Sequence, residues 1–126
     1  MSQTKPKIAL IEDDVPIVQM YLSKFETEGF DVKSAGDGDS GLELIKEFRP
    51  DVILMDLMMP HTTGLQLMQS IRNLSVTAKT KIIVLTNMGN DEVAEQVKKL
   101  GADDYLIKSD LTPSQVAERV KQVMNN

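Results

Sequence analysis

The sequence predicts an α/β fold, a doubly wound sheet of five parallel strands with helices on both faces. Two observations support this prediction. Five short runs of apolar, often β-branched residues recur along the chain, and a segment with helical spacing follows each of them. Runs of this length that do not alternate cleanly between apolar and polar residues are typical of strands buried on both faces of a parallel sheet. Because parallel strands are joined by right-handed crossovers, the intervening helices cover both faces.

The boundaries of the elements follow from the apolar runs and from capping residues. Strands are predicted at residues 7–11, 31–35, 51–55, 81–85 and 104–107. Apolar residues recur at helical intervals within residues 17–25, 42–48, 65–71 and 93–100. Gly29 and Gly101 occupy positions where a left-handed residue ends a helix. N-caps are predicted at Asp14, at Asn90 and at Thr112, which begins the fifth helix.

Composition limits the function classes. The chain has 126 residues, which suffice for one core, so residues 1–126 are expected to form a single domain. It has no cysteine, which excludes disulfides, thiolate nucleophiles and cysteine-ligated metal centres. The net charge of -5 argues against a protein that holds nucleic acid through a general positive field, so no direct nucleic-acid partner is expected.

Neither a secretory signal nor a membrane span is predicted. Residues 1–7 are polar, and no apolar stretch of the secretory type follows them. The longest apolar runs, residues 52–55 and 57–59, are far too short to cross a bilayer. The sequence therefore predicts a cytoplasmic protein with no membrane partner.

Polar side chains follow four of the five predicted strands, directly after apolar residues. The carboxyl ends of parallel strands meet at one edge of a doubly wound sheet, which is where such sheets bind ligands. The residues expected at this carboxyl edge are Glu12, Asp13, Asp56, Thr86, Asn87 and Lys108.

These residue types are suited to phosphoryl chemistry. Carboxylates that lie close together repel one another, and a divalent cation relieves the repulsion. Mg²⁺ is the expected cofactor, because it prefers oxygen ligands and is usually held by one or two carboxylates together with phosphate oxygens. Lys108 and Thr86 offer an ammonium group and a hydroxyl to phosphate oxygens. A carboxylate in such a site can act as a nucleophile and become an aspartyl phosphate.

Four motifs, in order along the chain, resemble the receiver domain of bacterial two-component response regulators, of the single-domain type found among chemotaxis regulators. The resemblance extends from Lys7 to the last helix, and it implies a flavodoxin-like fold with strand order 2-1-3-4-5. The motifs are LIEDD at residues 10–14, DVILMDLMMP at residues 51–60 with Gly64 behind it, Leu85 with Thr86, and GADDYLIK at residues 101–108.

The resemblance implies a role for each residue at the carboxyl edge. Asp56 would be the phosphoacceptor. The Mg²⁺ ligands would be Asp56, Asp13, Glu12 through a coordinated water, and the backbone carbonyl of Met58. Thr86, Lys108 and the backbone amide of Asn87 would bind the phosphoryl oxygens, and Tyr105 would be an aromatic switch coupled to Thr86.

The implied function is a phosphorylation-dependent switch rather than an enzyme, with phosphotransfer and self-dephosphorylation as its own chemistry. The donor would be the phosphohistidine of a sensor histidine kinase or of a phosphotransfer protein in a phosphorelay. The output would pass to a downstream protein, or to a second copy of the chain, through the face formed by the fourth helix, fifth strand and fifth helix. An ion pair of Asp103 or Asp104 with Arg119 is one candidate contact across such a dimer.

Two other functions and one other origin of the chain are compatible with parts of the pattern. A receiver-like scaffold that is never phosphorylated would lack the acceptor, a metal-binding acid or the lysine, and none is missing here. An Mg²⁺-dependent phosphohydrolase with an aspartate nucleophile needs a second acid two residues later, where this chain has Met58. A receiver excised from a longer regulator would have the same sequence features.

Several residues depart from the family pattern or invite a separate interpretation. Ser109 stands where the family usually has proline, and a trans Lys108–Ser109 bond is predicted because a cis bond costs about 3–4 kcal/mol without proline. Asn87 stands where the family often has a smaller residue, and it is expected to narrow access for the phosphodonor. Met58 and Met88 are hypothesised to keep water from a phosphorylated Asp56. His61, the only histidine, is interpreted as an exposed loop residue.

Overall fold

The computed structural model describes residues 5–59, 63–87 and 91–125 and shows five parallel strands in one sheet, ordered β2-β1-β3-β4-β5. Strands and helices alternate along the chain, so the predicted doubly wound fold and its strand order are confirmed. The elements are β1 (Lys7–Ile11), α1 (Val15–Thr27), β2 (Asp31–Ala35), α2 (Gly38–Phe48), β3 (Val52–Met55), α3 (Gly64–Asn73), β4 (Lys81–Thr86), α4 (Asp91–Lys99), β5 (Asp104–Ile107) and α5 (Pro113–Met124).

The strand boundaries agree with the prediction except at two ends. β3 begins at Val52 rather than at Asp51, whose carboxylate accepts a hydrogen bond from the Lys7 backbone N–H at 2.8 Å. β4 continues one residue further than predicted, because Thr86 still pairs with Ile107 of β5. Thr86 is therefore held within the sheet rather than in the loop that follows it.

Burial differs between the middle and the edges of the sheet. β3 is completely buried, and β1 and β4 are buried apart from their first residues. β2 is mostly exposed, so the prediction of strands buried on both faces is wrong for this strand. β2 pairs with β1 alone and ends the sheet, where the helices cover it only partly. β5 forms the opposite edge, and Leu106 is its one buried residue.

Two core layers lie on opposite faces of the sheet, because successive side chains of a strand point to opposite sides. One layer packs α1 and α5 against the sheet and includes Ile8, Leu10, Phe25, Val116 and Val120. The other layer packs α2, α3 and α4 against the sheet and includes Ala9, Ile11, Ile45, Met68 and Val97. Among the helices of the described residues, none combines the length and the apolar character needed to span a membrane.

The predicted helix ends are observed wherever the structure describes them. The Asp14 carboxylate accepts the Ile17 N–H at 3.1 Å and caps α1, and Thr112 forms a capping box with Gln115. Gly29 and Gly101 have φ angles of 93° and 87°, in the region that L residues rarely adopt. Asn90, the predicted cap of α4, lies outside the described residues.

The segment after β5 forms a short 3₁₀ turn, Lys108–Asp110. Among residues 5–59, 63–87 and 91–125 there is no cis peptide bond, which confirms the trans bond predicted between Lys108 and Ser109. The turn leads directly to the N-cap of α5, so the site lysine lies between the sheet and a helix start.

Gly64, the first residue of α3, lies in close contact with the loop that follows β3. A Cβ atom at this position would lie 2.6 Å from the Leu57 Cα and 2.9 Å from the Asp56 carbonyl oxygen. The Gly64 N–H also donates a hydrogen bond to the Leu57 carbonyl at 3.1 Å. Glycine is therefore required where α3 packs on the backbone of the predicted phosphoacceptor.

Substitution Gly64→Ala is expected to lower the free energy of unfolding by about 1–3 kcal/mol, because backbone atoms must shift to admit the methyl group. Urea unfolding followed by circular dichroism measures this change. Gly36→Ala is the matched control, since its Cβ would meet only the Glu12 carbonyl oxygen, at 3.9 Å. The control is expected to change stability by less than about 1 kcal/mol. Equal effects of the two substitutions would contradict the steric interpretation.

Candidate functional site

Three carboxylates meet at the carboxyl edge of the sheet, as the sequence predicts. Glu12, Asp13 and Asp56 each place an oxygen within 4.8 Å of those of the other two. Glu12 and Asp56 are only 4% and 6% exposed, whereas Asp13 is exposed to solvent. The cluster therefore has a buried floor and one acid that is open to solvent.

The pairing of two central strands brings the buried acids together. β1 and β3 run in register, with Ile11 beside Met55, so the residue after each strand is an acid at the same level. The Asp56 N–H donates a hydrogen bond to the Ile11 carbonyl at 3.0 Å, which fixes the start of the loop after β3. Two separate apolar strands thus end in adjacent carboxylates.

Lys108 connects the two buried carboxylates. Its Nζ lies 2.8 Å from Asp56 Oδ2 and also forms an ion pair with Glu12. The lysine is itself largely buried, with 12% of its side chain exposed. Sequence reasoning assigned Lys108 to phosphoryl oxygens and gave no indication of the contact with Glu12, because no local pattern connects residues 96 positions apart.

Backbone N–H groups orient the other oxygens of both acids. The Met58 N–H donates to Asp56 Oδ1 at 3.1 Å, and the Asp14 N–H donates to Glu12 Oε2 at 3.2 Å. In each case the donor lies two residues after the acid, and for Asp56 this is a local turn that short acidic side chains favour. Both buried carboxylates are therefore held by a backbone donor on one side and by Lys108 on the other.

Burial and charge act in opposite directions on the pKa values of the site. Burial raises the pKa of Glu12 above its usual value, although Lys108 and the Asp14 N–H partly oppose the shift. For Lys108, burial alone would lower the pKa. The hydrogen bonds and charges of Asp56 and Glu12 outweigh that effect and raise the pKa of Lys108. The lysine thus remains an ammonium group.

The donor set fits a divalent cation that prefers oxygen ligands. With all three acids ionised, three negative charges face the single positive charge of Lys108, so two negative charges remain without compensation. Glu12, Asp13 and Asp56 offer oxygens only, which is the ligand type that Mg²⁺ requires. These residues therefore fit the magnesium ion that the sequence predicts.

The remaining predicted residues lie at the end of β4, directly after it, and within β5. Thr86 is fully buried at the end of β4, and Asn87 follows it as an exposed residue. Tyr105 is partly buried and lines a cavity of about 240 Å³ between α4 and β5, together with Ala94 and Val97. Tyr105 thus lies beside α4 and not in the carboxylate cluster.

Met58 has an exposed side chain, with 60% of its surface accessible, and its backbone N–H faces Asp56. Met88 and His61 lie outside the described residues. Of the two methionines that are hypothesised to keep water from Asp56, the structure describes only Met58.

Comparison with known proteins agrees with this architecture. A family model described as the response regulator receiver domain matches residues 8–121. The phosphate regulon transcriptional regulatory protein PhoB of Escherichia coli is 34% identical over 118 residues, which cover 94% of this chain and 51% of PhoB. The DNA-binding dual master transcriptional regulator RpaA of Synechocystis is 36% identical, with 94% of this chain and 47% of RpaA covered. The chain spans about half the length of the curated relatives it matches.

Solved structures extend the comparison to three dimensions. The chemotaxis response regulator CheY4 of Vibrio cholerae is similar with a TM-score of 0.89 and 29% identity, over 95% of this chain and 99% of that one. The receiver domain of the Francisella response regulator 1452 is similar with a TM-score of 0.87 and 33% identity, over 96% and 98% of the two chains. With its acidic cluster and site lysine in place, the chain belongs to the response regulator receiver domain family of two-component signalling.

Proposed function

We propose that the chain is a phosphorylation-dependent switch whose acceptor is Asp56. The donor is the phosphohistidine of a sensor histidine kinase or of a phosphotransfer protein. One observation carries this proposal. The Asp56 carboxylate is almost fully buried, yet it is hydrogen-bonded by Lys108 and by the Met58 N–H and lies beside two further acids. Such an arrangement is costly as a purely structural element, because it concentrates like charge where water is scarce.

The proposed phosphotransfer uses the groups that surround Asp56. A carboxylate oxygen of Asp56 forms a bond to phosphorus while the phosphorus–nitrogen bond of the donor breaks. The donor imidazole keeps the electron pair of that bond and takes a proton from solvent. Asp13, Asp56, Glu12 through a water and the Met58 carbonyl would hold Mg²⁺, which would supply positive charge to the phosphoryl oxygens. Lys108 lies 2.8 Å from Asp56 Oδ2 and provides a second positive charge at the same place.

The response to phosphorylation is proposed to begin at Thr86 and Asn87. Both residues follow the apolar part of β4 at the carboxyl edge, so the Thr86 hydroxyl and the Asn87 N–H are suited to bind phosphoryl oxygens. Tyr105 lies on the neighbouring strand, beside the cavity under α4. A change in the position of Thr86 is proposed to shift Tyr105 between two packings and so to alter the outer surface.

The output surface is proposed to be the face of α4, β5 and α5, which would bind a downstream protein or a second copy of the chain. On this face the Arg119 guanidinium forms two hydrogen bonds of 2.9 Å with the Asp104 carboxylate of the same chain. Asp103 instead accepts the Ile82 N–H at 2.9 Å. To form an ion pair between two chains, Arg119 would therefore release Asp104 of its own chain and bind the equivalent acid of the second copy.

Protein partners are favoured over nucleic acid for this chain. PhoB and RpaA are transcriptional regulators by name, but the similarity covers about half of each of them. The net charge of -5 opposes binding to a phosphate backbone. We therefore propose that the receiver contacts proteins, whatever the longer relatives bind through their other halves.

Incubation with acetyl phosphate and Mg²⁺ is expected to add one phosphoryl group to the wild-type protein, detected as a gain in intact mass. Asp56→Asn is expected to show no gain, because the acceptor oxygen is replaced by an amide. Omission of Mg²⁺ is expected to abolish or strongly slow the reaction. A gain that persists in the variant would show another acceptor. No gain in the wild type, with Mg²⁺ bound, would favour the phosphorylation-independent scaffold.

Substitution Asp13→Asn is expected to weaken Mg²⁺ binding by about tenfold or more, because it removes the charged ligand that is open to solvent. Isothermal titration with MgCl₂ measures the affinity. Asp14→Asn is the matched control, since asparagine also caps a helix and Asp14 lies outside the metal cluster. Unchanged affinity in Asp13→Asn, or an equal loss in both variants, would refute Asp13 as a ligand.

Substitution Met58→Asn is expected to shorten the lifetime of the phosphorylated protein, and Met88→Glu added to it is expected to shorten it further. Polar side chains at these positions would admit and orient the water that attacks the phosphoryl group. The decay of phosphorylated protein after removal of the donor measures the lifetime. Met58→Leu, which keeps the position apolar, is expected to decay like the wild type. Equal lifetimes of all variants would contradict the role of the methionines.

A further inference from the structure

Met58 has the most exposed side chain among the methionines that the structure describes. It is 60% exposed and Met20 in α1 is 42% exposed, whereas Met55 and Met68 are fully buried. The remaining methionines of the described residues are only partly exposed. A thioether in contact with water is open to dissolved oxidants, whereas a buried one reacts only after the structure opens locally. Among the described residues, Met58 and Met20 are therefore the methionines that an oxidant reaches first.

Hydrogen bonds fix the backbone around Met58. The Met58 N–H donates to Asp56 Oδ1 at 3.1 Å, and the Gly64 N–H donates to the Leu57 carbonyl at 3.1 Å. The Leu57 side chain is buried in the core layer formed with α2, α3 and α4, whereas the next residue exposes its side chain. The Met58 thioether is therefore held at the surface, two residues from the proposed acceptor.

The chain offers no thiol that would compete for an oxidant. It has eight methionines and no cysteine. Cysteine thiolates are strong nucleophiles that peroxides attack readily, and where they are absent the thioether sulfur becomes the reactive one. Methionine sulfur is therefore the group of this chain with which a mild two-electron oxidant reacts.

We propose that Met58 is an oxidation site through which a peroxide shortens the lifetime of the phosphorylated protein. The sulfur takes one oxygen atom from hydrogen peroxide, which leaves as water, and the side chain becomes methionine sulfoxide. The sulfur is oxidised by two electrons, and the peroxide is reduced by two. The oxidation site is independent of phosphorylation, whereas its effect on signalling rests on the proposed function.

Oxidation changes the side chain beside Asp56 from apolar to polar. The sulfoxide oxygen is a hydrogen-bond acceptor, whereas the thioether sulfur accepts only weakly. At Met58 this oxygen is placed to accept a hydrogen bond from a water that attacks the phosphoryl group. The water oxygen forms a bond to phosphorus while the bond between phosphorus and the Asp56 oxygen breaks, and the released phosphate keeps both protons of the water. The oxidised side chain thus admits the water that the thioether keeps away.

Peptide mapping by mass spectrometry tests the oxidation site, after treatment of the unphosphorylated full chain with dilute hydrogen peroxide. Met58 is expected to gain one oxygen atom at least about tenfold faster than Met55 and Met68, because the buried sulfurs react only after local opening. Met20 is the exposed comparison and is expected to react at a rate similar to that of Met58. A rate at Met58 as low as the rates of the buried methionines would overturn the site.

The decay of the phosphorylated protein tests the effect on signalling. The chain is oxidised, catalase removes the peroxide, and acetyl phosphate with Mg²⁺ then adds the phosphoryl group, which intact mass follows after the donor is removed. Oxidation is expected to shorten the lifetime by about twofold or more in the wild type and equally in the control Met20→Leu. In Met58→Leu, oxidation is expected to leave the lifetime of that variant unchanged, because leucine has no sulfur. Treatment of the oxidised wild type with reductases for both sulfoxide epimers is expected to restore the lifetime.

The two failures are distinguishable. If Met58 is oxidised and the lifetime of the wild type does not change, the effect on signalling is wrong while the proposed function stands. The same conclusion follows if oxidation shortens the lifetime of Met58→Leu as much as that of the wild type. If the untreated wild type gains no phosphoryl group, the proposed function fails and the effect on signalling with it, and the oxidation site is judged on the peptide map.

Discussion

Two carboxylates buried at the ends of neighbouring strands repel each other, and the ammonium group of Lys108 between Glu12 and Asp56 reduces that repulsion. The rest of the site depends on this ion pair. It requires β1 and β3 to be adjacent and in register, and it requires the turn after β5 to reach over the end of β4. Because the same lysine faces the proposed acceptor, the group that stabilises the resting site is already placed to contact a phosphoryl group. Asp13 is the exposed acid of the cluster, which leaves that side open to a metal ion.

Local patterns in the sequence were sufficient to predict the strands, most helix ends and the acids at the carboxyl edge. Apolar runs report burial, and Asp14, Gly29 and Gly101 act within one turn of their own positions. The exposure of β2 was not predicted, because the composition of a strand does not reveal which neighbour it lacks. The contacts of Lys108 with Glu12 and of Arg72 with Gly101 join residues far apart in the chain, and a side chain that reaches across a fold has no local signature.

The resemblance to receiver domains supplied what periodicity alone did not, namely a role for each acid and for the lysine. The family match and the similar structures establish the fold and the family. The cluster of Glu12, Asp13 and Asp56 at the carboxyl edge shows that the acids named by the resemblance lie together in this chain. The residues in which this chain departs from the family pattern lie around the carboxylate cluster and not within it. Ser109 follows the site lysine within a 3₁₀ turn, and Met58 exposes an apolar side chain beside the acceptor. Met58 is proposed to affect the persistence of the signal, and both positions leave the carboxylate cluster itself intact.

The register of β1 with β3 also has a consequence for folding. This pairing joins segments about 44 positions apart, as the contact of Lys7 with Asp51 illustrates, so a long loop must close before the centre of the sheet exists. The same event that creates the apolar centre forces Glu12 and Asp56 together, while the lysine that compensates them lies in the turn after the last strand. Formation of the central strand pair is therefore opposed by the charges of the proposed signalling site. The acceptor role proposed for Asp56 thus conflicts with the folding of the centre of the sheet, and a chain without that role would be relieved of the conflict.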